Sequence, residues 1–312
     1  MKVCADAIVT NEYNEALFIR RGDTRTWAPP GGALESGELP TAAVVREVEE
    51  ETGLKVMPAR LVGVYYRWQR PDGFLLFSFR CLQRGGELRP SSESLQVGFL
   101  PAVPLPAPML GIHREHLQRA LRHYGGPPYW GSQRQPALWR LARWLVYRLR
   151  DARAVLRGEA PYQPPRPWHS GAFVVIRDET GRGLWVKRKD HAVWNLPGGR
   201  SSRGETPWAT ATRETREETG LNVRLVDLTG VYVKPERNHL VFTFTAEITG
   251  GRLTPNAEAA DFAYFASGTE PANSLPKHVE RVADAVSPQG RTIFRVQRGE
   301  SDLAALAAEE GV

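Results

Sequence analysis

Two groups of glutamates in this chain have the spacing of carboxylates that share one face of a helix. Glu47, Glu50 and Glu51 are three and four positions apart, so a helix brings their side chains to one patch. The second group is Glu214, Glu217 and Glu218. Carboxylate oxygens with room for water are the ligands that Mg²⁺ and Mn²⁺ prefer, commonly together with a substrate phosphate. The alternative is a solvated helix face, because glutamate is a good helix former.

The two groups lie in two copies of one sequence pattern. Trp27 and Trp194, and Gly32 and Gly199, are separated by 167 positions. The same separation relates Arg46 to Arg213, Glu38 to Glu205 and Gly53 to Gly220, as well as the glutamates above. Downstream, a separation of 165 pairs Gly85-Gly86 with Gly250-Gly251 and Glu93 with Glu258. The chain is therefore predicted to contain a duplicated domain, and the repetition of glutamates with the same arginine favours metal binding over solvation.

Each copy needs a helix that holds its glutamates against strands. In the first copy, a helix is predicted to begin near Leu39, to have Pro40 in its first turn and to stop at Gly53. The predicted strands cover 3–10, 15–21, 59–67, 74–82 and 97–100, and a final helix covers 114–123. The second copy repeats this order, with helices at 207–219, capped by Thr206, and at 276–286. This order predicts an α/β fold with a mixed sheet between helices.

The composition is that of a globular protein. Apolar residues make up 41% and charged residues 24%, which excludes a disordered or fibrous chain. No uncharged apolar stretch approaches the ~20 residues of a membrane span, and no signal-peptide core follows Met1, so no integral membrane segment is expected. Cys4 and Cys81 are too few for a disulfide framework. These features together predict a cytoplasmic protein.

The basic charge is concentrated between the two copies. The net charge is +6, and the stretch from His113 to Trp168 holds eleven arginines against three acidic residues. We expect a first domain at 1–124, a linker at 125–167, a second domain at 168–288 and a tail at 289–312. Leucines at helical spacing between 138 and 156 predict a basic amphipathic helix in the linker. A helix that bridges the domains is favoured, and contact with nucleic acid or a membrane surface is the alternative.

The stretch from Gly32 to Leu54 resembles the signature of the Nudix (MutT-like) hydrolase superfamily. It contains, at every defined position, a glycine, five residues, Glu, seven residues, Arg-Glu, an aliphatic residue, one residue, Glu-Glu, one residue, Gly and an aliphatic residue. The stretch from Gly199 to Leu221 is similar, but Thr215 stands where the first copy has Val48. The resemblance implies a tandem protein of two Nudix-type α/β/α sandwich domains, joined by the helical basic linker.

The resemblance also implies a role for each residue of the signature. In the first copy the metal ligands would be the Gly32 carbonyl, Glu47, Glu50 and Glu51, with Glu47 also the candidate base that activates water. Arg46 would orient the glutamates, and Glu38 would anchor the arginine to its loop. The second set is Gly199, Glu205, Arg213, Glu214, Glu217 and Glu218.

Two further pairs are candidate site residues with an ordinary alternative. Members of the family often draw one more metal-binding carboxylate from the loop after the central hairpin, where Glu93 and Glu258 stand. Exposed loop residues are the alternative. Trp27 and Trp194, five positions before the signature glycines, would stack on a substrate base, or would be buried to brace the loop.

The implied reaction is attack of water on a phosphorus atom of a diphosphate bridge, with Mg²⁺ as cofactor and Mn²⁺ as substitute. The substrate would be a nucleoside diphosphate linked to another moiety, of the nucleotide-sugar, ADP-ribose or nucleoside-triphosphate type. The alternative is a sensor of nucleotide metabolites in which one or both domains bind without turnover. Complete glutamate sets in both copies favour the enzyme.

Overall fold

A computed structural model describes residues 1–68, 73–91, 94–133, 166–287 and 290–299. Glu93 and the predicted linker helix between 138 and 156 lie outside the described residues. Within these ranges, no helix is both long enough and apolar enough to cross a membrane.

The described residues of the first half form two sheets and two helices. Its strands are β1 (Lys2–Val9), β2 (Glu15–Arg21), β3 (Trp27–Ala28), β4 (Gly31–Ala33), β5 (Leu54–Arg67), β6 (Phe74–Gly86), β7 (Ser94–Pro101) and β8 (Tyr129–Gln133). Its helices are α1 (Pro40–Thr52) and α2 (Gly111–Leu121). The five-stranded sheet has the order β4-β1-β6-β5-β8, and the three-stranded sheet has the order β3-β2-β7. The large sheet is mixed, because β1 runs parallel to β6 whereas β5 runs antiparallel to it.

The second half repeats this architecture. Its strands are β9 (His169–Ile176), β10 (Gly183–Arg188), β11 (Trp194–Asn195), β12 (Gly198–Arg200), β13 (Leu221–Lys234), β14 (His239–Gly251), β15 (Ala259–Phe265) and β16 (Ile293–Val296). Its helices are α3 (Pro207–Thr219) and α4 (Pro276–Ala285), and a single 3-10 turn spans Pro235–Arg237. The sheet orders are β12-β9-β14-β13-β16 and β11-β10-β15. The predicted duplication and the predicted α/β fold with a mixed sheet between helices are confirmed.

Alternation along β1 places a helix on each face of the large sheet. Successive strand residues point to opposite faces. Ala7 joins the buried cluster that includes Val44 and Val48 of α1. The next residue, Ile8, joins the cluster that includes Leu117 of α2. The sheet of the first half therefore lies between the two helices.

The boundaries of α1 follow from its sequence. Pro40 occupies the first turn, where its missing N–H costs no hydrogen bond. Gly53 ends the helix with φ +75°, and its backbone N–H donates to the Glu49 carbonyl. In α3, the Thr206 side chain caps the helix by accepting a hydrogen bond from the Ala209 N–H, as predicted. Both helices thus begin and end where the sequence predicts.

Two strands lie in segments that the sequence analysis assigned to the linker and the tail. β8 pairs parallel with β5, with Tyr129 opposite Gly63, and β16 pairs parallel with β13, with Ile293 opposite Gly230. The large sheets therefore extend beyond the domain limits expected at 124 and 288. These strands are five and four residues long, and they pair with partners more than sixty positions away. Short-range periodicity carries no information about such pairing.

The two halves share one core and an approximate two-fold relation. The Phe77 and Phe242 rings, at equivalent positions of the repeat, stack with centroids 5.9 Å apart and an interplanar angle of 4°. Met1 and Trp168 are also equivalent: the N-terminal ammonium group of Met1 donates to the Trp168 carbonyl at 2.7 Å, and the Trp168 N–H donates to the Met1 carbonyl at 2.9 Å. Buried residues of both halves belong to one continuous hydrophobic cluster. The tandem copies thus pack together as two like subunits do in a symmetric dimer.

Candidate active site

Arg46 organises the carboxylates of the first half. Its guanidinium makes a two-pronged contact with Glu38, at 3.0 Å from Nε and 2.9 Å from Nη2. Nη1 donates to Glu47 at 2.9 Å and to Glu50 at 3.1 Å, while Nη2 also donates to the Ala33 carbonyl at 3.0 Å. The planar fork of an arginine can serve several acceptors at fixed angles, which a lysine cannot. One positive side chain therefore joins the loop glutamate to two helix glutamates.

The glycines of the loop admit the remaining carboxylates. The Gly31 N–H donates to Glu51 at 2.7 Å, and Glu51 is buried. A Cβ placed on Gly32 would lie 2.2 Å from Glu47 Oε2, which is far inside van der Waals contact. Only glycine at position 32 therefore leaves room for the Glu47 carboxylate beside the loop backbone.

The second half repeats this arrangement around Arg213. Its Nε and Nη2 bind Glu205 at 2.7 and 2.8 Å, and its Nη1 lies 2.8 Å from Glu217 and 2.9 Å from Glu214. The Gly198 N–H donates to Glu218 at 2.8 Å. A Cβ on Gly199 would lie 2.6 Å from Glu214 Oε2. The predicted signature residues of each copy are thus brought together.

Burial shapes the acid–base properties of the second group. It raises the pKa of Glu218 to about 8, although the hydrogen bond from Gly198 acts in the opposite direction. Burial also raises the pKa of Glu214, against the lowering effect of Arg213. The Arg213 guanidinium, by contrast, holds the pKa of Glu205 below its usual value. The ionised form of Glu218 is therefore disfavoured, and a cation bound beside it would stabilise that form.

The donor types suit a divalent metal ion, but these carboxylates do not surround a common point. Among the residues that the structure describes, no three Asp, Glu, His or Cys side chains are arranged to hold one ion. Glu47 and Glu50 instead face Arg46, and Glu51 faces the Gly31 N–H. The Glu50 side chain, which is 59% exposed, has room to rotate away from the arginine towards an ion.

The NUDIX domain pattern matches residues 1–119 and 167–281, which together make up most of the chain. The chain belongs to the NUDIX family. The prediction that the chain is a tandem protein with two Nudix domains is thereby confirmed.

Three relatives illustrate the range of Nudix proteins that this chain resembles. A MutT-like protein of Streptomyces ambofaciens is 45% identical over 98 residues, or 31% of this chain and 62% of that protein. The 8-oxo-dGDP phosphatase NUDT18 of Mus musculus is 38% identical over 118 residues, which cover 36% of each chain. An ADP-ribose pyrophosphatase of Methanocaldococcus jannaschii is 33% identical over 109 residues, or 33% of this chain and 62% of that protein. These names and the family confirm the predicted enzyme class, a Nudix pyrophosphohydrolase.

The two Nudix halves differ at the loop that could supply a further carboxylate. Glu258 is exposed, and its charge is close enough to contribute to the raised pKa of Glu218. Asn256, which sequence reasoning missed, ties this loop to α3 by donating to the Glu217 and Glu218 carbonyls at 2.9 and 2.7 Å. Its position two residues before Glu258 was the available signal. In the first Nudix half, Ser94 anchors the same loop by donating to the Glu51 carbonyl at 3.0 Å.

The two tryptophans of the Nudix loops pack in small apolar clusters. Trp194 is buried, and its ring meets Phe265 edge-on at 5.2 Å between centroids. Trp27 is half-buried and packs against the cluster that includes Ile8 and Phe18. These contacts are those of residues that brace the loop, and stacking on a substrate base stays a prediction.

Proposed function

We propose that both Nudix halves hydrolyse the diphosphate linkage of nucleoside diphosphate derivatives with the help of Mg²⁺, for which Mn²⁺ can substitute. The observation that carries the proposal is the same set at two places in one chain: three glutamates around an arginine, and a fourth that accepts from a glycine N–H. A binding module would not need to keep two complete sets. Their duplication with matching distances supports catalysis at both sites.

The proposal assigns distinct tasks to the residues of each set. In the first half, Glu50, Glu51 and the Gly32 carbonyl would hold the metal ion, which when bound polarises the phosphoryl oxygens and lowers the pKa of nearby water. Glu47, held beside Gly32 and Arg46, would accept the proton of the attacking water. Glu38 keeps Arg46 in place from the loop side. In the second half the same tasks fall to Glu217, Glu218, Gly199, Glu214 and Glu205, with Arg213 at the centre.

The substrate class follows from the reaction and from the relatives. Nucleoside diphosphate derivatives share a diphosphate that carries a nucleoside on one side, and a metal-binding set of glutamates can engage that diphosphate. The names of two relatives, an 8-oxo-dGDP phosphatase and an ADP-ribose pyrophosphatase, make oxidised guanine nucleotides and ADP-ribose the first compounds to assay. Nucleotide sugars and nucleoside triphosphates complete the panel.

The test is a hydrolysis screen of the whole chain with Mg²⁺ or Mn²⁺ and with chelator. It compares the wild type with Glu50→Gln/Glu51→Gln, with Glu217→Gln/Glu218→Gln and with all four substitutions together. Each double variant should lose the activity of its own half, by about 1,000-fold or more, because the metal loses its charged ligands. Glu49→Gln is the matched control, because Glu49 is an exposed glutamate of α1 next to the set but outside it, and this variant should keep full activity.

Two results would contradict the proposal. Metal-dependent turnover that survives in the fourfold variant would place the catalytic residues elsewhere. Saturable binding of a nucleotide by the wild type, without turnover of any compound in the panel, would instead indicate the sensor function.

A further inference from the structure

A turn of the second half lies directly on the signature loop of the first half. We call residues 31–39 the first glycine loop and residues 198–206 the second glycine loop. The side-chain oxygen of Asn238 accepts hydrogen bonds from Ser36 Oγ at 2.7 Å and from the Gly37 N–H at 3.0 Å. Asn238 is 5% exposed although it lies at a chain reversal between β13 and β14. A residue two hundred positions away therefore holds this loop.

Asn238 is itself held in place by contacts with its own half. It follows the 3-10 turn in the left-handed region, at φ +46°, where asparagine is among the few side chains tolerated. Its carbonyl accepts from the His169 N–H at 2.9 Å, and its Nδ2 donates to the Arg166 carbonyl at 3.5 Å. The hydrogen bond from Nδ2 fixes the orientation of the side-chain amide, so that Oδ1 points to the first glycine loop.

The loop that Asn238 contacts is one residue from the arginine anchor. Gly37 has φ +76°, and a Cβ there would lie 2.8 Å from the Pro235 side chain of the second half. Glu38 follows directly, and it makes the two-pronged contact with Arg46. Arg46 in turn binds Glu47 and Glu50. Two sets of hydrogen bonds, joined by the peptide link between Gly37 and Glu38, thus connect Asn238 with the carboxylates of the first site.

The first half makes the reciprocal contact with the second glycine loop, through a tryptophan in place of a proline. Gly204, the equivalent of Gly37, lies against the Trp68 ring, which would be 2.5 Å from a Cβ on that glycine. Trp68 precedes the β5–β6 reversal as Pro235 follows β13. Each glycine loop is therefore covered by the other half: Pro235 and Asn238 contact the first loop, and Trp68, the equivalent of Pro235, contacts the second.

We propose that Asn238 is a positioning residue of the first site, although it belongs to the second Nudix half. It fixes Ser36 and Gly37 and so keeps Glu38 where it aligns Arg46 with Glu47 and Glu50. The inference rests on the proposed hydrolase function for its kinetic consequence, but the contact with the loop can be measured without turnover.

The experiment uses the whole chain with one site disabled at a time. In the Glu217→Gln/Glu218→Gln background, only the first site is active. Asn238→Gly keeps the left-handed turn but removes the acceptor, whereas Asn238→Asp keeps both. Because a misplacement of about 1 Å costs up to ~100-fold, we expect Asn238→Gly to lower kcat by about tenfold with little change in KM. Asn238→Asp should restore kcat to within about threefold of its parent, since its acceptor remains.

The second site is the internal control, and amide exchange is the independent readout. In the Glu50→Gln/Glu51→Gln background, Asn238→Gly should leave kcat of the second site unchanged. Hydrogen exchange of the backbone at 36–38 should become faster in Asn238→Gly and stay slow in Asn238→Asp. Failure of the wild type to hydrolyse any compound would remove the proposed function, yet exchange at these amides would still test the contact.

Several outcomes would overturn the inference. Unchanged kcat of the first site in Asn238→Gly would show that the loop needs no support from the second half. An equal fall of kcat at both sites would show that the turn acts through overall folding. Unchanged exchange at 36–38 would show that the hydrogen bonds to Asn238 do not hold the loop.

Discussion

Arg46 and Arg213 satisfy most of their hydrogen-bonding capacity at residues of the signature. Each binds the loop glutamate with two nitrogens and the helix glutamates with the third. Contact with Glu38 contributes most to raising the pKa of Arg46. The arginine offsets the repulsion among neighbouring carboxylates while it fixes their orientation.

At the scale of the residue, the substitution Gly32→Ala tests whether turnover depends on the position of the Glu47 carboxylate. In Gly32→Ala the new Cβ would lie 2.2 Å from Glu47 Oε2, so the carboxylate must move by about 1 Å or more. We expect a fall in first-site kcat of about 100-fold. The measurement is kcat in the Glu217→Gln/Glu218→Gln background.

Gly98→Ala is the matched control, because a Cβ at that strand position meets no atom within 4 Å. It should keep first-site kcat. Equal effects of the two substitutions would mean that loss of backbone freedom, and not displacement of Glu47, explains the result.

At the scale of the element, α1 and α3 carry the same glutamates but differ at one core position. Val48 of α1 and Thr215 of α3 are equivalent, and both are 0% exposed. The Thr215 hydroxyl has no hydrogen-bond partner within the described part of the chain. Burial of a hydroxyl without a partner costs free energy of about 1–3 kcal/mol. The departure of the second signature from the family pattern therefore affects packing of the helix.

Exchange of these two residues should change stability in opposite directions. Thr215→Val should raise the free energy of unfolding by about 1 kcal/mol, and Val48→Thr should lower it by about 1–2 kcal/mol, because valine and threonine have nearly the same shape. Urea denaturation at neutral pH measures both. A loss of stability in Thr215→Val would indicate that the hydroxyl has a partner, such as water, that offsets its burial.

At the scale of the whole molecule, the halves form one folded unit. Besides the Phe77–Phe242 stack, the Phe294 ring of β16 lies 5.3 Å from Phe79, and the Trp130 ring of β8 lies 5.6 Å from Phe244. The last strand of each half, β8 or β16, thus contributes an aromatic side chain to the shared core. Separation of the halves would expose this apolar surface to water, which is unfavourable in proportion to its area.

Buried histidines make the stability of the folded chain depend on pH. Burial lowers the pKa of His278 well below its ordinary value of 6.5, and the positive charges of Arg281 and Lys234 add to this effect. Its Nδ1 accepts a hydrogen bond from the Leu196 N–H at 3.0 Å. Burial likewise lowers the pKa of His116 to about 3 and that of His239 to about 4.

The sign follows from proton binding. Above pH 6.5 both the folded and the unfolded chain carry a neutral His278, whereas below it the unfolded chain binds a proton that the folded chain excludes. The free energy of unfolding should therefore fall as pH drops below 6.5, by up to about 1.4 kcal/mol per pH unit for each such histidine.

His278→Asn keeps an acceptor for the Leu196 N–H but cannot take up a proton. Between pH 6.5 and 5, its free energy of unfolding should fall less steeply than that of the wild type. The difference in slope corresponds to the uptake of one proton, up to about 1.4 kcal/mol per pH unit. Urea denaturation series at several pH values give both slopes, and the comparison at pH 8 isolates any loss of packing. Parallel slopes would show that His278 does not remain neutral in the folded state.

The sequence by itself determined the features that depend on nearby residues. Spacings of three and four place the glutamates on one helix face, proline and glycine set the ends of α1, and the repeat predicts two copies of one α/β domain. The contact of Arg46 with Glu50, one helical turn away, also follows from local geometry. Such contacts are predictable because the distance along the chain fixes the distance in space.

Only the tertiary structure decided which distant residues meet. The pairing of β8 and β16 with the large sheets, the stack of Phe77 on Phe242 and the hydrogen bonds of Asn238 to the first glycine loop join residues from 63 to over 200 positions apart. No local pattern encodes these contacts, because they depend on how the two halves bury their apolar faces against each other. The carboxylates of the first site were therefore predictable from the sequence, whereas their support from the second half was not.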